Sequence, residues 1–357
     1  MSKIYLIILL FAGTAAAQTL PEATLTPTPL TETQRKSVRE GSLLQTGGKF
    51  DEAIKKLTEA EKEGATNDVI PFELAKSHFA KKSYAKCIEK GMEAARYVSA
   101  RLARIYTVIG NCHDGKGDPE RALGIYNFAL LKFPNDGTLH LNRAAALNSA
   151  GQTDAARGAA KQAARLEPNN ANTQFLIASL FQQQGYRVPA ILAAARYLAL
   201  EPASGRTVYG LELLKRSFEM KVKSTSKIAE ISLGDAVEKT DEGDFSSIEV
   251  VLAGNWVPDA KGEAKKKSDV ERSIEQFELV LSLLPADKAP KGEGNFTDSF
   301  YVPYFKQMQE KKLVETLWHM IYAAGKRSES EAWLTANQQK VNDFMNWSSA
   351  YAWPKSN

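Results

Sequence analysis

Two cysteines and four histidines leave this chain almost no material for metal or thiol chemistry. Cys87 and Cys112 are too few for a disulfide framework. His78, His113, His140 and His319 show no HExxH or other paired spacing, and two thiols in separate repeats make no zinc site. A GxSxG elbow, a recognisable Cys–His context and a glycine-rich phosphate loop are also missing. An excess of one charge is lacking too: 46 basic against 42 acidic residues leave a formal net charge of +4. With no Lys/Arg run interleaved with stacking aromatics, that balance argues against a nucleic-acid partner. Asp241-Glu242-Gly243-Asp244 lacks the alternating ligands and the distal bidentate glutamate of a calcium loop. It is expected to be a solvated loop, with Asp244 capping a helix that starts at Phe245. No cofactor, no metal and no catalytic residue is expected.

Long apolar runs are absent beyond the first residues, where Lys3 precedes the apolar stretch Ile4 to Gly13 and the small residues Ala15, Ala16 and Ala17. That order is a secretory signal, residues 1–17, and is shorter than the about 20 residues a membrane helix needs. The expected mature chain is exported, periplasmic or secreted, with no integral membrane span. Residues 18–32 (QTLPEATLTPTPLTE) are rich in threonine and proline with no hydrophobic period, which predicts an extended, flexible linker.

What the chain does have is a clock. Pro134, Pro168 and Pro202 stand 34 residues apart, and so do Gly117, Gly151 and Gly185. Written in that register, five units follow: 34–67, 68–102, 103–136, 137–170 and 171–204. Position 8 reads Gly41, Ala75, Gly110, Ala144, Ala178, and position 20 reads Ala53, Cys87, Ala122, Ala156, Ala190. Small residues in both columns let two antiparallel helices approach closely. Position 27 (Ala60, Ala94, Ala129, Ala163, then Tyr197) lets the second helix meet the next unit. Position 15 (Gly48, Lys82, Gly117, Gly151, Gly185) suits the left-handed backbone that ends a helix.

This column set, with proline at position 32, resembles the tetratricopeptide-repeat (TPR) family, most closely in GGKFDEAIKKLTEA (47–60) and KGDPERALGIYNFALLKFPND (116–136). The resemblance covers roughly half the chain and implies an all-α solenoid of helix–turn–helix repeats over 33–204. Units 1 and 2 lack the proline, and unit 2 has Lys82 for glycine and Gly91 inside its second helix, so these two are expected to be the loosest.

Beyond Pro202 the period stops, and all five tryptophans lie there. A capping helix is expected in 205–222, sealing the last repeat with Val208, Leu211, Leu214 and Phe218. A second, aromatic-cored helical domain, 223–357, follows and is expected to dock on the solenoid's C-terminal end. It allows one short extended segment at Lys223 to Leu233, then helices over 245–257, 268–284, 297–311, 312–325 and 328–349. Residues 299–324 are similar to segments that follow TPR arrays in exported bacterial proteins of unassigned function.

The resemblance also implies where a partner sits. In TPR arrays the first helix of each unit, helix A, lines the groove. The candidates are Phe72, Lys76 and Phe79 in unit 2; Arg104, Thr107 and Asn111 in unit 3; Leu141, Asn142 and Asn148 in unit 4; and Asn172, Phe175 and Gln182 in unit 5. Asn111 and Asn142 match two asparagines of the family's carboxylate clamp, but Thr107, Asn172 and Leu176 stand where its cations belong. The reading is therefore an exported, non-enzymatic scaffold that holds an extended, largely neutral peptide or protein segment. The alternatives are a hydrolase or other enzyme in the C-terminal domain, and a structural subunit of an envelope assembly. His319, alone between Trp318 and Met320, gives the enzyme reading little.

In this register Cys87 is on the second helix of unit 2 and Cys112 on the first helix of unit 3, antiparallel neighbours at similar height. Either they form a bridge or they are two buried thiols serving as small fillers. The bridge predicts no reactive thiol when the unfolded protein is titrated without reductant; two reactive thiols would exclude it.

Overall fold

The computed structural model describes residues 20–64, 66–218, 222–225, 228–231, 241–255, 267–285, 295–325 and 327–354. The expected signal segment, 1–17, lies outside them. Two compact units divide the chain at Phe133/Pro134.

The first unit holds three helix pairs: α1 (Glu32–Thr46) with α2 (Phe50–Lys62), α3 (Val69–Ala80) with α4 (Tyr84–Ala94), and α5 (Leu102–Gly115) with α6 (Pro119–Lys132). The second holds α7 (Gly137–Ser149) with α8 (Thr153–Leu166), α9 (Ala171–Gln183) with α10 (Arg187–Leu200), and then α11 (Thr207–Phe218). The position-15 residues Gly48, Lys82, Gly117, Gly151 and Gly185 have φ of 74°, 57°, 87°, 74° and 80°. Every A-to-B turn thus takes the same left-handed step, and Lys82 takes it at a cost of about 1 kcal/mol. Ala53, Cys87, Ala122, Ala156 and Ala190 of the position-20 column are all fully buried.

The first two repeats, expected to be the loosest, have contacts of their own that hold them. A Cβ on Gly91 would lie 2.6 Å from Cγ1 of Ile109, so the glycine permits close approach of α4 to α5. Cys87 and Cys112 are joined across the same helix pair with Cα atoms 6.2 Å apart. Closing a loop of this length stabilises by about 3 kcal/mol in the chain-entropy account. The Thr/Pro segment, expected to be flexible, is also tied down. Its residues 24–28 bond the main chain at Thr66, Arg96 and Val98, Leu30 packs on Leu57, Ala60, Ile70 and Leu74, and Thr31 closes a capping box with Gln34.

After α11 comes a two-stranded antiparallel hairpin, β1 (Val222–Thr225) and β2 (Ile228–Ile231). The C-terminal helices are α12 (Ser246–Asn255), α13 (Asp269–Leu283), a π-helical turn (Thr297–Tyr301) running into α14 (Val302–Glu310), α15 (Val314–Ala324), α16 (Ser328–Ala336) and α17 (Gln338–Ala350). The helix expected over 328–349 breaks at Asn337. The core is aromatic: Phe277 meets Phe305 and Trp318 edge-on at 5.5 and 5.6 Å, and Tyr304 stacks on Trp347 and Trp353 at 4.8 and 5.0 Å.

This aromatic domain packs on the last two repeats, meeting α8 at Lys161, α10 at Arg196 and α9 at Gln174. The end of the array is closed by α11, which turns Thr207, Gly210, Leu213, Leu214, Ser217 and Phe218 inward. Val208, expected to seal it, is 61% exposed. Helix α10 reads RVPAILAAARYLAL and buries every residue from Val188 to Ala199. A helix apolar on all sides needs cover on all sides, and the C-terminal domain supplies the far side.

Arg196 lies inside that joint, fully buried. It donates to the Tyr304 hydroxyl (2.9 Å), Ser348 Oγ (3.0 Å) and Asn169 Oδ1 (2.6 Å), and its guanidinium sits 4.7 and 4.8 Å from the ring centres of Tyr304 and Trp353. A cation taken out of water needs such compensation, and two ring faces supply about 2 kcal/mol or more when desolvated. Burial holds its pKa below the usual arginine value. Nearby, the Tyr301 hydroxyl donates to Oε1 of Gln174 at 2.5 Å.

The acidic turn is not a solvated loop either. Glu242 is fully buried, paired with Lys161, 3.3 Å from Nε of Arg157, and accepts from Thr297 Oγ1 at 3.3 Å. Asp241 pairs with Nη2 of Arg157 at 2.9 Å and accepts from the Tyr186 hydroxyl at 2.6 Å. Asp244 accepts from the Ser246 amide at 3.0 Å at the start of α12, and the Ser246 hydroxyl first, then that amide, hold its carboxyl below the usual range. Farther along, Arg187 meets Glu249 at 2.9 Å.

Two outcomes follow from this packing. Ala122→Leu should overpack the α5–α6 contact and lower stability by about 1–3 kcal/mol in denaturant melts; a neutral result would mean the columns are misplaced. Glu242→Gln strands Lys161, while Arg157 keeps Asp241, and should cost about 3 kcal/mol, part of which returns when Lys161→Met is added. Additive losses in that double-variant cycle would show that the turn is not held by this ion pair.

Candidate functional site

With α10 buried and α8 partly covered, the A helices of each unit carry the remaining candidates. In the first unit, α3 and α5 bring Phe72 and Arg104 together, and the groups there are already engaged. Phe72 is only 2% exposed because two cations lie against its ring, Lys76 at 5.3 Å and Arg104 at 5.5 Å from the centre. Lys76 is itself paired with Glu73 at 2.8 Å, while Arg104 makes no ion pair among the described residues. Thr107 returns its hydroxyl to the Ala103 carbonyl at 2.9 Å. Asn111 accepts from the Tyr126 hydroxyl at 2.5 Å, and burial pushes that phenol's pKa up. Phe79 stays open, 39% exposed, with its ring 6.2 Å from that of Tyr84.

In the second unit, α7 and α9 place Leu141, Asn142, Asn148, Phe175 and Gln182 at half-buried positions, and Asn172 at an exposed one. Asn142 donates to its own helix at Thr138 O, 2.7 Å. Asn172 accepts from Arg206 at 2.7 Å, and Phe175 meets Tyr197 edge-on at 5.2 Å. Oδ1 of Asn148 is buried and has no partner among the described residues.

Gln182 shows what position 12 is for. Its Nε2 reaches forward to the Leu213 carbonyl (3.0 Å) and the Ser217 hydroxyl (3.2 Å) of α11. Gln45, at the same position of the first repeat, reaches forward in the same way to Glu73 O (3.0 Å) and Ser77 Oγ (2.9 Å) of α3. A long amide here ties one A helix to the next by a carbonyl and the hydroxyl four residues on. The period alone placed it in a groove; the partner serine was the signal that could have been read.

The arrangement offers hydrogen-bonding amides, guanidinium groups and ring faces, which suit recognition. No three His, Cys, Asp or Glu side chains gather to hold a metal among the described residues. His78 and His113 are packed inside A helices and His319 stacks on Trp333 at 4.3 Å with Nδ1 3.2 Å from Ser330 Oγ; burial holds all three below the usual histidine pKa. No described helix is long and apolar enough to cross a membrane.

No family model matches the chain, and no curated protein matches it. Solved structures do. TTC0263, a TPR protein from Thermus thermophilus, is 24% identical, with 52% of this chain and 96% of that one covered at a TM-score of 0.44. PilF of Pseudomonas aeruginosa is 16% identical over 52% of this chain and 89% of its own, with a TM-score of 0.42. YrrB, a TPR protein described as having an unusual peptide-binding site, is 14% identical over 50% and 90%, with a TM-score of 0.37. Each covers about half of this chain, and the fold assignment rests on the chain's own turns and columns. By that geometry the chain has an all-α tetratricopeptide-repeat fold of five helix pairs followed by an aromatic-cored helical domain.

Proposed function

We propose that this chain is an exported, non-enzymatic scaffold that binds an extended segment of a protein partner on the A-helix surface of its repeats. The observation that carries this is the allocation of faces in the last two repeats. The B helices α8 and α10 meet the chain's own C-terminal domain through Glu242 and Arg196, and Gln174 of the A helix α9 joins them through Tyr301. The A helices α7 and α9 are left with half-buried Leu141, Asn142 and Phe175 and exposed Asn172. Amides with scattered apolar anchors suit a peptide held by its main chain, with a few side chains seated beside Phe79, Leu141 or Phe175. Export is supported by the N-terminal pattern and by a buried pair of joined cysteines, which persists in an oxidising compartment.

The test is recovery of partners from the envelope fraction with a tagged wild-type chain and with a Leu141→Glu/Asn172→Glu/Phe79→Glu variant. All three side chains are open enough to change without emptying a core. The variant should keep the wild-type melting temperature and lose partner recovery at least ~tenfold, the loss of about 1.4 kcal/mol of binding. Equal recovery by both chains would place the partner elsewhere.

A further inference from the structure

The segment 24–30 is bound as a peptide ligand would be. It runs across the two junctions that join a B helix to the next A helix in the first three repeats. At the second junction, the amides of Thr24 and Leu25 both donate to the Arg96 carbonyl, at 3.0 and 2.9 Å. The Val98 amide donates back to the Leu25 carbonyl at 2.9 Å, so that Leu25 pairs with Tyr97 as one rung of a parallel ladder. At the first junction, the Thr28 amide donates to the Thr66 carbonyl at 2.8 Å, and the two threonine hydroxyls meet at 2.8 Å. Leu30 then packs on the cluster of Leu57, Ala60, Ile70 and Leu74.

These junctions differ from the later ones. The three later units carry Pro134, Pro168 and Pro202 there. Units 1 and 2 have none, and unit 2 has one residue more; the strap pairs there with the Thr66 and Arg96 carbonyls and the Val98 amide. On the strap the prolines are placed the other way. Pro27 and Pro29 flank Thr28, holding the segment extended without taking an amide that the edge uses. Thr24, Leu25, Thr26, Thr28 and Pro29 face solvent, so recognition is mainly through main chain, one hydroxyl and one apolar seat. Such an edge selects a pattern rather than a whole sequence.

We infer that this edge is a second binding site, distinct from the A-helix surface, for an extended partner segment of the pattern Thr-x-Leu, paired through its main chain on the N-terminal side of the threonine. The chain's own Leu25, Thr28 and Leu30 occupy it as a resident pseudo-ligand. A strap joined directly to α1 acts at a millimolar-range effective concentration, so it keeps the site closed to dilute partners until it is displaced. The inference does not depend on what the A helices bind.

The probe is a fluorescent peptide of residues 20–31, followed by anisotropy with two full-length chains. One is wild type; in the other, Leu25→Pro and Leu30→Asp release the strap. The released chain should take up the peptide saturably, and the wild type at least ~tenfold less. A peptide carrying the same two substitutions should bind neither. Hydrogen exchange at the Val98 amide should be fast in the released chain and slow again with peptide bound. If the released chain keeps its helical signal and melting temperature yet takes up no peptide, the strap is only a structural cap and the inference fails. Should that chain not fold, Thr28→Ala removes only the hydroxyl pair; it should raise peptide uptake, and uptake unchanged from wild type counts against the site.

Discussion

The close approach of two helices at a pair of small residues, closed by one left-handed residue, is the constraint on which the rest of this molecule depends. Ala122 is fully buried, and a Cβ on Gly110 would lie 2.4 Å from the Tyr126 ring. The contact therefore tolerates little added bulk. The turn that permits it admits one backbone conformation, and Lys82 adopts that conformation where glycine is missing. Within each unit, once every pair is built on this plan, the A helices present one surface and the B helices another.

How the surfaces are used differs along the chain. In the last two repeats the B helices serve as the seat of a second domain. That seat joins a wide apolar contact along α10 to a few buried charges, each with its own compensation. Glu242 has two cations and a hydroxyl, and Arg196 has three oxygen acceptors and two ring faces. The chemistry differs because the carboxylate lies at the edge of the seat, where long basic side chains from α8 can reach it. The guanidinium lies between packed helices, where aromatic faces are the available counterpart. In the first two repeats, the joined cysteines and the strap do the work that proline does elsewhere.

Much of the repeat half was legible because its information is local and periodic. A glycine that must turn left, a small residue that must not collide and a proline that must stop a helix recur every 34 residues. The register also brought Cys87 and Cys112 onto neighbouring helices, but it left open whether they are joined or are two buried thiols. The candidate site was legible only in outline. Position within the repeat tells which way a side chain leaves its helix, and so put Asn111, Asn142 and Gln182 on the A surface. It does not tell that Asn111 is taken by Tyr126, Asn142 by its own helix, or Gln182 by α11. Those are choices among neighbours that lie within reach only after packing.

The sequence by itself determined the helix pairs, their turns and the fit of their small-residue columns, because each follows from steric rules over a few residues. Only the tertiary structure decided that the Thr/Pro segment is a strap, that the acidic turn is buried, and that Arg196 belongs inside an aromatic seat. These contacts join residues 38, 81 and 108 positions apart. A threonine, a glutamate and an arginine look alike in sequence whether water or a partner satisfies them, and the difference arises only when distant parts of the chain exclude the water between them.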